Sequence, residues 1–265
     1  MPPRTLDGVL LPDDIGVTSD AWEHLSLGAA LERVAGIATL AEIYSGDRHT
    51  LLTAANRQAA TQSGLRLTVH GPFEDLEPGS PSERRRRQAV ATHRRHLEAA
   101  AEIGALRYVA HPEYRPHPAR RDPRVIAALE RTLAELAALQ AELGVPIVVE
   151  NMPGAGRSHF THPGDLDLGE LGFVLDTGHA AITGVLHEFL RAPQARLMHV
   201  HLHDNRGPAD AHDPHMPLGR GVVDARAVLA TARAAGATVI LELLNEADVR
   251  ASLLHLQAKG LVPQD

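Results

Sequence analysis

Six short apolar runs in this chain each stop at an imidazole or a carboxylate, and the stretches between most of them are long enough for helices. They are Leu65-Arg66-Leu67-Thr68-Val69-His70, Leu106-Arg107-Tyr108-Val109-Ala110-His111, Val145-Pro146-Ile147-Val148-Val149-Glu150, Phe173-Val174-Leu175-Asp176, Leu197-Met198-His199-Val200-His201 and Thr238-Val239-Ile240-Leu241-Glu242. Each reads as a buried strand, because a continuous apolar run of this length suits a sheet covered on both faces. A single run ending in His would mean little, since an isolated His is usually a core or surface residue with its own partner. Six in succession demand an architecture that gathers strand ends of one polarity.

The intervening segments say which one. Residues 82–103 follow Pro81, have Ser82 as N-cap and stop at Gly104. Asp122-Pro123 opens a second helix that runs to Gly144, with Asp as cap and Pro at the first helical position. Helices are also predicted from Asp224 to Ala235 and from Asn245 to Leu256. Upstream, Leu27 to Ala35 and Thr50 to Gln62 read as helices around a strand at Thr39 to Tyr44, and a first strand lies within Gly8 to Val17. Eight alternating strand-helix pairs imply a parallel sheet with right-handed crossovers. A closed barrel of this kind takes about 250 residues, so the 265 residues are predicted to form one α/β domain, a (β/α)8 TIM barrel over 1–265. Its metal site is expected at the C-terminal face of the strands, where barrel sites are built.

Composition narrows the chemistry. The chain has no Cys, which removes disulfides and thiolate zinc sites, so a metal must be held by His and carboxylate. Seventeen His are the compositional outlier. The net charge of -7 gives no general attraction to nucleic acid. No run approaches the roughly 20 apolar residues of a membrane span, and Met1-Pro2-Pro3-Arg4-Thr5 is not an apolar signal segment. A cytoplasmic location without a membrane partner is therefore expected.

Imidazole and carboxylate together suit Zn, Mn, Fe or Co, with Zn or Mn expected first. Glu150 is the natural bridge between two cations, and Asp213-Pro214-His215 adds a closely spaced pair after the seventh strand. If His70, His111, Glu150, Asp176, His179, His201, Asp213, His215 and Glu242 all bind, the set suffices for three ions, and neighbouring ions about 3.5–4 Å apart suit phosphoester hydrolysis. If only Glu150, Asp176, His201 and Glu242 bind, one ion results. That arrangement suits polarising a sugar carbonyl and hydroxyl while Glu150 and Glu242 move a proton on and off carbon.

Val149-Glu150-Asn151, Leu175-Asp176-Thr177-Gly178-His179-Ala180, His201-Leu202-His203-Asp204 and Asp213-Pro214-His215-Met216-Pro217-Leu218-Gly219-Arg220-Gly221 resemble motifs of the xylose isomerase-like barrels. That group includes sugar and sugar-phosphate isomerases and epimerases and endonuclease IV (AP endonuclease family 2), and the resemblance spans roughly His70 to Glu242. Similarity to endonuclease IV implies His70, His111 and Glu150 at one ion. It implies Glu150, Asp176, His201 and Glu242 at a second, and His179, Asp213 and His215 at a third. The single-metal epimerases tend to carry a substrate-holding Arg where this chain has His215, so that position matches the three-ion pattern. The loop His70-Gly71-Pro72-Phe73-Glu74-Asp75-Leu76-Glu77 departs from endonuclease IV, which has a Tyr-containing apolar loop there. Its three carboxylates would repel a phosphate backbone. His70-Gly71-Pro72-Phe73 and His201-Leu202-His203-Asp204-Asn205 resemble the sugar-phosphate isomerases and epimerases instead. The resemblance thus implies a divalent-metal-dependent sugar or sugar-phosphate isomerase or epimerase, with Glu150 and Glu242 catalytic and one to three ions per chain. Its expected partner is a small carbohydrate or sugar phosphate. The alternative is an endonuclease IV-like phosphoesterase acting on abasic DNA or a small phosphodiester, and a third reading is a barrel that binds metal and sugar without turnover.

Other features have plainer readings. Arg84 to Arg87 with His93-Arg94-Arg95-His96 read as a solvated outer helix before a nucleic-acid patch, because consecutive charges on a helix point in all directions. His187-Glu188 lacks the second His of the helical zinc-protease motif. Residues 154–158 lack the Lys and spacing of a phosphate loop, and Gly219-Arg220-Gly221 reads as a turn first. His199 and His203 share a strand face with His201 and read as partners of a ligand. His24, His49, His93, His96, His117, His159, His162, His187, His212 and His255 read as ordinary surface or loop residues. Trp22 and Phe73 read equally as mouth lining or barrel packing.

Overall fold

The computed structural model describes residues 10–113, 122–154, 158–192, 195–210 and 212–263. Eight parallel strands, β1 (Ile15–Thr18), β2 (Leu40–Tyr44), β3 (Arg66–His70), β4 (Tyr108–Ala110), β5 (Ile147–Glu150), β6 (Gly172–Asp176), β7 (Leu197–Leu202) and β8 (Thr238–Leu241), pair in chain order. β8 closes on β1 with Ile15 opposite Val239 and Val17 opposite Leu241, so no edge is left open. Every strand ends on the same rim, as the six apolar runs required.

The helices follow their caps. α1 (Leu27–Ala35) is capped by Ser26 and α2 (Ala54–Gln62) by Thr53, four residues later than the start expected at Thr50, because a short 3-10 turn at Asp47–His49 precedes it. α3 (Glu83–Glu102) and α4 (Pro123–Leu143) match their expected spans. Asp122 accepts the Arg124 N–H, and Gly144 takes the left-handed conformation at φ 72°. α5 (Thr177–Thr183) and α6 (Leu186–Arg191) both follow β6, while α7 (Ala225–Ala235) and α8 (Glu246–Ala258) complete the ring. Buried Leu31, Val34, Leu97, Leu129, Val228 and Leu253 seal these helices onto the barrel.

Strict alternation fails at one place. Among the described residues no helix joins β5 to β6. Pro163, Gly164 and Gly169 interrupt the connection, and Phe160, Leu166, Leu168 and Leu171 are buried from irregular backbone instead. Eight strands are present, but the fifth unit packs a loop where a helix was expected.

Four histidines expected at the surface are buried. His49 packs against Ser19 Oγ and the Leu25 carbonyl, and His159 pairs with Glu113 while accepting the Asp122 N–H. His93 meets Tyr108 Oη at 3.0 Å and His96 meets Ser45 Oγ at 2.8 Å, so the inner face of α3 is histidine-rich while Arg84, Arg85, Arg87 and Arg95 look outward. Even there Arg86 is buried, held by Glu83, Glu135 and Thr132 between α3 and α4. His24, His162, His187 and His212 are exposed and His255 is half-buried, while His117 lies outside the described residues.

The α3 histidines carry a pH prediction. Burial, then the charges of His96, His111 and His70, lower the His93 pKa to about 4, and burial with Arg95 nearby lowers His96 to about 4. An unfolded chain takes up these protons near pH 6.5 while the fold refuses them, so their contribution is complete above that pH and is lost as pH falls toward 4. For His93 the loss amounts to roughly 3 kcal/mol. Urea unfolding across this window should show a steeper loss of stability for wild type than for His93→Gln, and parallel slopes would contradict the burial account.

Candidate metal centre

The strand ends deliver the expected side chains to one floor. Glu150, at the end of β5, is buried at its centre. Its Oε2 lies 3.5 Å from His70 Nε2, 3.3 Å from His111 Nε2 and 3.3 Å from His201 Nδ1, while its Oε1 lies 3.2 Å from His179 Nδ1. Asp176 ends β6, and its Oδ1 accepts the His179 N–H at 2.6 Å as the cap of α5. Asn151 locks these two ends together: its amide donates to the Asp176 carbonyl at 3.0 Å and its Oδ1 accepts the Asp176 N–H at 2.8 Å. Glu242 follows β8 and brings Oε2 to 3.2 Å from His201 Nδ1.

The loop after β7 supplies Asp213 and His215. Its shape comes from Asp204, whose carboxylate accepts the N–H groups of Asn205, Gly219, Gly221 and Val223 at 2.7–3.0 Å. The Gly219-Arg220-Gly221 turn therefore wraps an anion, and that anion is the protein's own. A Cβ at Gly221 would collide with the Asn205 carbonyl, which explains glycine there. Asn205 donates to Asp213 Oδ1 at 3.2 Å, and His203 Nε2 sits 2.9 Å from Asp213 Oδ2. His203 also stacks on His215 at 4.1 Å between ring centres. Asp213 and His215 thus group most tightly with His203, read from sequence as a ligand's partner, whereas Nδ1 of His179 faces Glu150 and Asp176.

The donor set fits divalent cations on two counts. Among the described residues, Glu150 Oε2, Asp176 Oδ2, His203 Nδ1 and both ring nitrogens of His111 and of His201 are buried with no hydrogen-bond partner. Such groups are costly to leave alone. Their spacing is also that of ligands around an ion, since donors about 2.0–2.1 Å from a tetrahedral cation stand about 3.3 Å apart. In the metal-free protein, protons fill part of this role. Burial would lower the His70 pKa, but Glu150 and Glu42 outweigh it and raise it to about 9. Burial would lower His179 as well, but Asp176 and Glu150 raise it to about 10.

Sequence reasoning missed Glu42, which sits in the middle of β2 and is wholly buried beneath this floor, 2.9 Å from both His199 Nε2 and His201 Nε2. It also missed Asp20, just past β1, whose pKa burial raises to about 7. Glu42 lies inside β2 and Asp20 in the turn after β1, and neither strand ends on a His or carboxylate, so the strand-end rule had nothing to find.

Above the floor is a cavity of about 310 Å³, lined by the ligand candidates other than Asp176 and His201, together with Phe73, Met152, Pro153 and Ile182. Phe73 thus lines the mouth, stacked on His111 at 4.6 Å, while Trp22 is core and donates to Glu246. A neighbouring hollow that shares Phe73 is edged by Asp20, Glu23, Asp47 and Glu74 against one cation, Arg48. Residues 155–157 of the glycine-rich segment lie outside the described residues.

The profile of a family described as xylose isomerase-like TIM barrel matches residues 36–259. A probable endonuclease 4 of Mycobacterium leprae is 31% identical over 209 residues, covering 74% of this chain and 79% of that protein. A solved D-tagatose 3-epimerase-like protein superposes with a TM-score of 0.80 at 27% identity, covering 93% of this chain and 96% of the other. A protein from Thermus thermophilus, solved after soaking with ZnCl2, superposes with a TM-score of 0.67 at 29% identity, covering 95% of this chain and 100% of that one. No helix of the described residues is long and apolar enough to cross a membrane.

Proposed function

The chain belongs to the xylose isomerase-like TIM barrel family, and within it we propose a divalent-metal-dependent sugar isomerase or epimerase. The observation that carries this reading is that Glu150 and Glu242 converge on one His201 nitrogen at the floor of a cavity whose volume, about 310 Å³, is that of a small-molecule site. Phe73 and Met152 offer apolar surface to a sugar ring, and the acidic edge beside them disfavours a polyphosphate backbone. The same edge favours an uncharged sugar over a sugar phosphate.

His70, His111 and Glu150 would hold one ion, Glu150, Asp176, His201 and Glu242 a second, and Asp213 and His215, with His179 or His203, a third. An ion bound there would polarise the substrate's carbonyl and adjacent hydroxyl. The residues do the rest. One glutamate takes the proton from the carbon beside the carbonyl, and the C–H electron pair forms a double bond to the carbonyl carbon as the carbonyl π pair moves onto oxygen. The other glutamate, having first taken up a proton from the substrate's hydroxyl or from solvent, returns it to carbon as that pair moves back, and the first then releases the proton it took. Both can act as acceptors. Burial would raise their pKa values, but His111 and His201 around Glu150, and His201 and His215 around Glu242, hold the carboxylates well below their usual range.

Deuterium exchange tests the reading without knowledge of the product. Metal-loaded protein in D2O is incubated with a panel of ketoses and aldoses, and proton NMR follows the hydrogen beside the carbonyl. Exchange into one sugar or a few is expected. Phosphoester hydrolysis is the second reading, favoured by the presence of Asp213 and His215 beside the floor. Cleavage of abasic DNA or a simple phosphodiester, with no exchange anywhere in the panel, would establish it and overturn the first.

A further inference from the structure

Beneath the floor, the barrel interior holds a file of polar side chains where apolar layers are usual. Glu42 lies opposite Thr68 in the β2–β3 register and His199 opposite Thr238 in the β7–β8 register. Arg107, just before β4, donates from Nη1 to Thr238 Oγ1 at 3.0 Å. Thr238 Oγ1 lies 2.6 Å from His199 Nδ1, His199 Nε2 lies 2.9 Å from Glu42 Oε2, and Thr68 donates to the same oxygen at 2.9 Å. Glu42 Oε1 faces His201 Nε2 at 2.9 Å.

From Arg107 to Glu42 the chemistry of these groups leaves one arrangement of protons. A guanidinium only donates and a carboxylate only accepts, so the two ends of the file are fixed. His199 must carry its proton on Nε2 to face Glu42, which leaves Nδ1 bare to accept the Thr238 hydroxyl proton. His201 Nε2 stands 2.9 Å from Glu42 Oε1 without the alignment of a hydrogen bond, and needs a proton there to face the carboxylate. Its Nδ1 faces Glu150 Oε2 (3.3 Å), Glu242 Oε2 (3.2 Å) and Asp176 Oδ2 (3.8 Å), where either a second proton or a cation must sit between. A bare nitrogen against three carboxylate oxygens is repulsive unless a cation lies between them.

We propose that Glu42 is a positioning residue for the metal centre: through the file that ends at Arg107, it selects the His201 tautomer that presents a free Nδ1 to a divalent cation. The inference rests on the metal-dependent reading above. It adds that the ligand is prepared from below, by a residue that touches neither substrate nor ion. Losing such an outer partner typically weakens metal binding by about 10–100-fold.

The test uses the full chain, zinc as the probe ion, chelator competition for affinity, and nitrogen NMR of histidine-labelled protein for tautomers. In zinc-loaded wild type, His201 is expected protonated at Nε2 and coordinated through Nδ1. His199 is expected as the Nε2–H form with or without zinc. Glu42→Gln should weaken the ion held by His201 by about 10–100-fold while the zinc count at saturation is kept, and should move the His201 ring signals. Thr68→Val, which removes one donor to Glu42 and keeps its charge, should weaken the same ion less, and serves if Glu42→Gln does not fold. Unchanged affinity and unchanged His201 signals in the folded variant overturn the proposal, as does wild-type His201 coordinated through Nε2. Wild type that takes up no zinc, yet shows the expected His199 tautomer, would overturn the metal reading and leave the proton order in the file standing.

Discussion

Glu150→Gln is expected to abolish turnover, by at least about 10³-fold, and to empty most of the metal centre. Glu150 Oε2 faces three imidazole nitrogens and its Oε1 a fourth, so among the described residues no other carboxylate in the cluster faces as many imidazoles. An amide keeps the shape but loses the charge, and its NH2 group would be aimed at nitrogens that must themselves stay unprotonated to bind an ion. Elemental analysis should show the ion count falling together with activity, while circular dichroism shows an intact barrel. A folded variant with wild-type turnover would sink the shared metal-site reading, whichever substrate proves correct.

Glu242→Gln should separate two events that Glu150→Gln removes together. Glu242 is partly open to the cavity, with 17% of its side chain exposed, whereas Glu150 is sealed at 1%. Loss of the Glu242 carboxylate leaves Glu150 able to take a proton from one face of the substrate and return a deuteron to that same face. Product formation should fall by about 10²–10⁴-fold, while deuterium still washes into unconverted substrate. Equal loss of exchange and conversion would show that the two glutamates do not divide the work between faces.

Most of the barrel was legible because its strands announce themselves. A run such as Ile147–Glu150 is apolar until the residue at which it leaves the sheet, and the change of polarity marks both the strand end and the ligand. The fifth crossover was not legible, since Phe160, Leu166, Leu168 and Leu171 are as apolar as a helix face but lack its period. The same reasoning located nine candidate ligands and overlooked Glu42. A carboxylate inside β2 reads as an anomaly in a strand until the partners that satisfy it, from β3 and β7, are brought across the barrel. His93 and His96 were misplaced for a related cause: next to arginines in sequence they look solvated, yet residues three apart on a helix share a face, and theirs is the buried one.

The centre is assembled from two kinds of backbone. His70, Glu150, Asp176 and His201 are fixed by strands whose hydrogen bonds form the barrel itself, so any change in their geometry strains the whole fold. Asp213 and His215 hang instead from a loop folded around the single carboxylate of Asp204. Inheritance can therefore act on the two parts at different rates. On the metal-dependent reading, drift within residues 204–223 can add, remove or re-aim a cation-binding arm without placing the scaffold at risk, and the number of ions such a barrel would carry becomes a trait of one detachable loop.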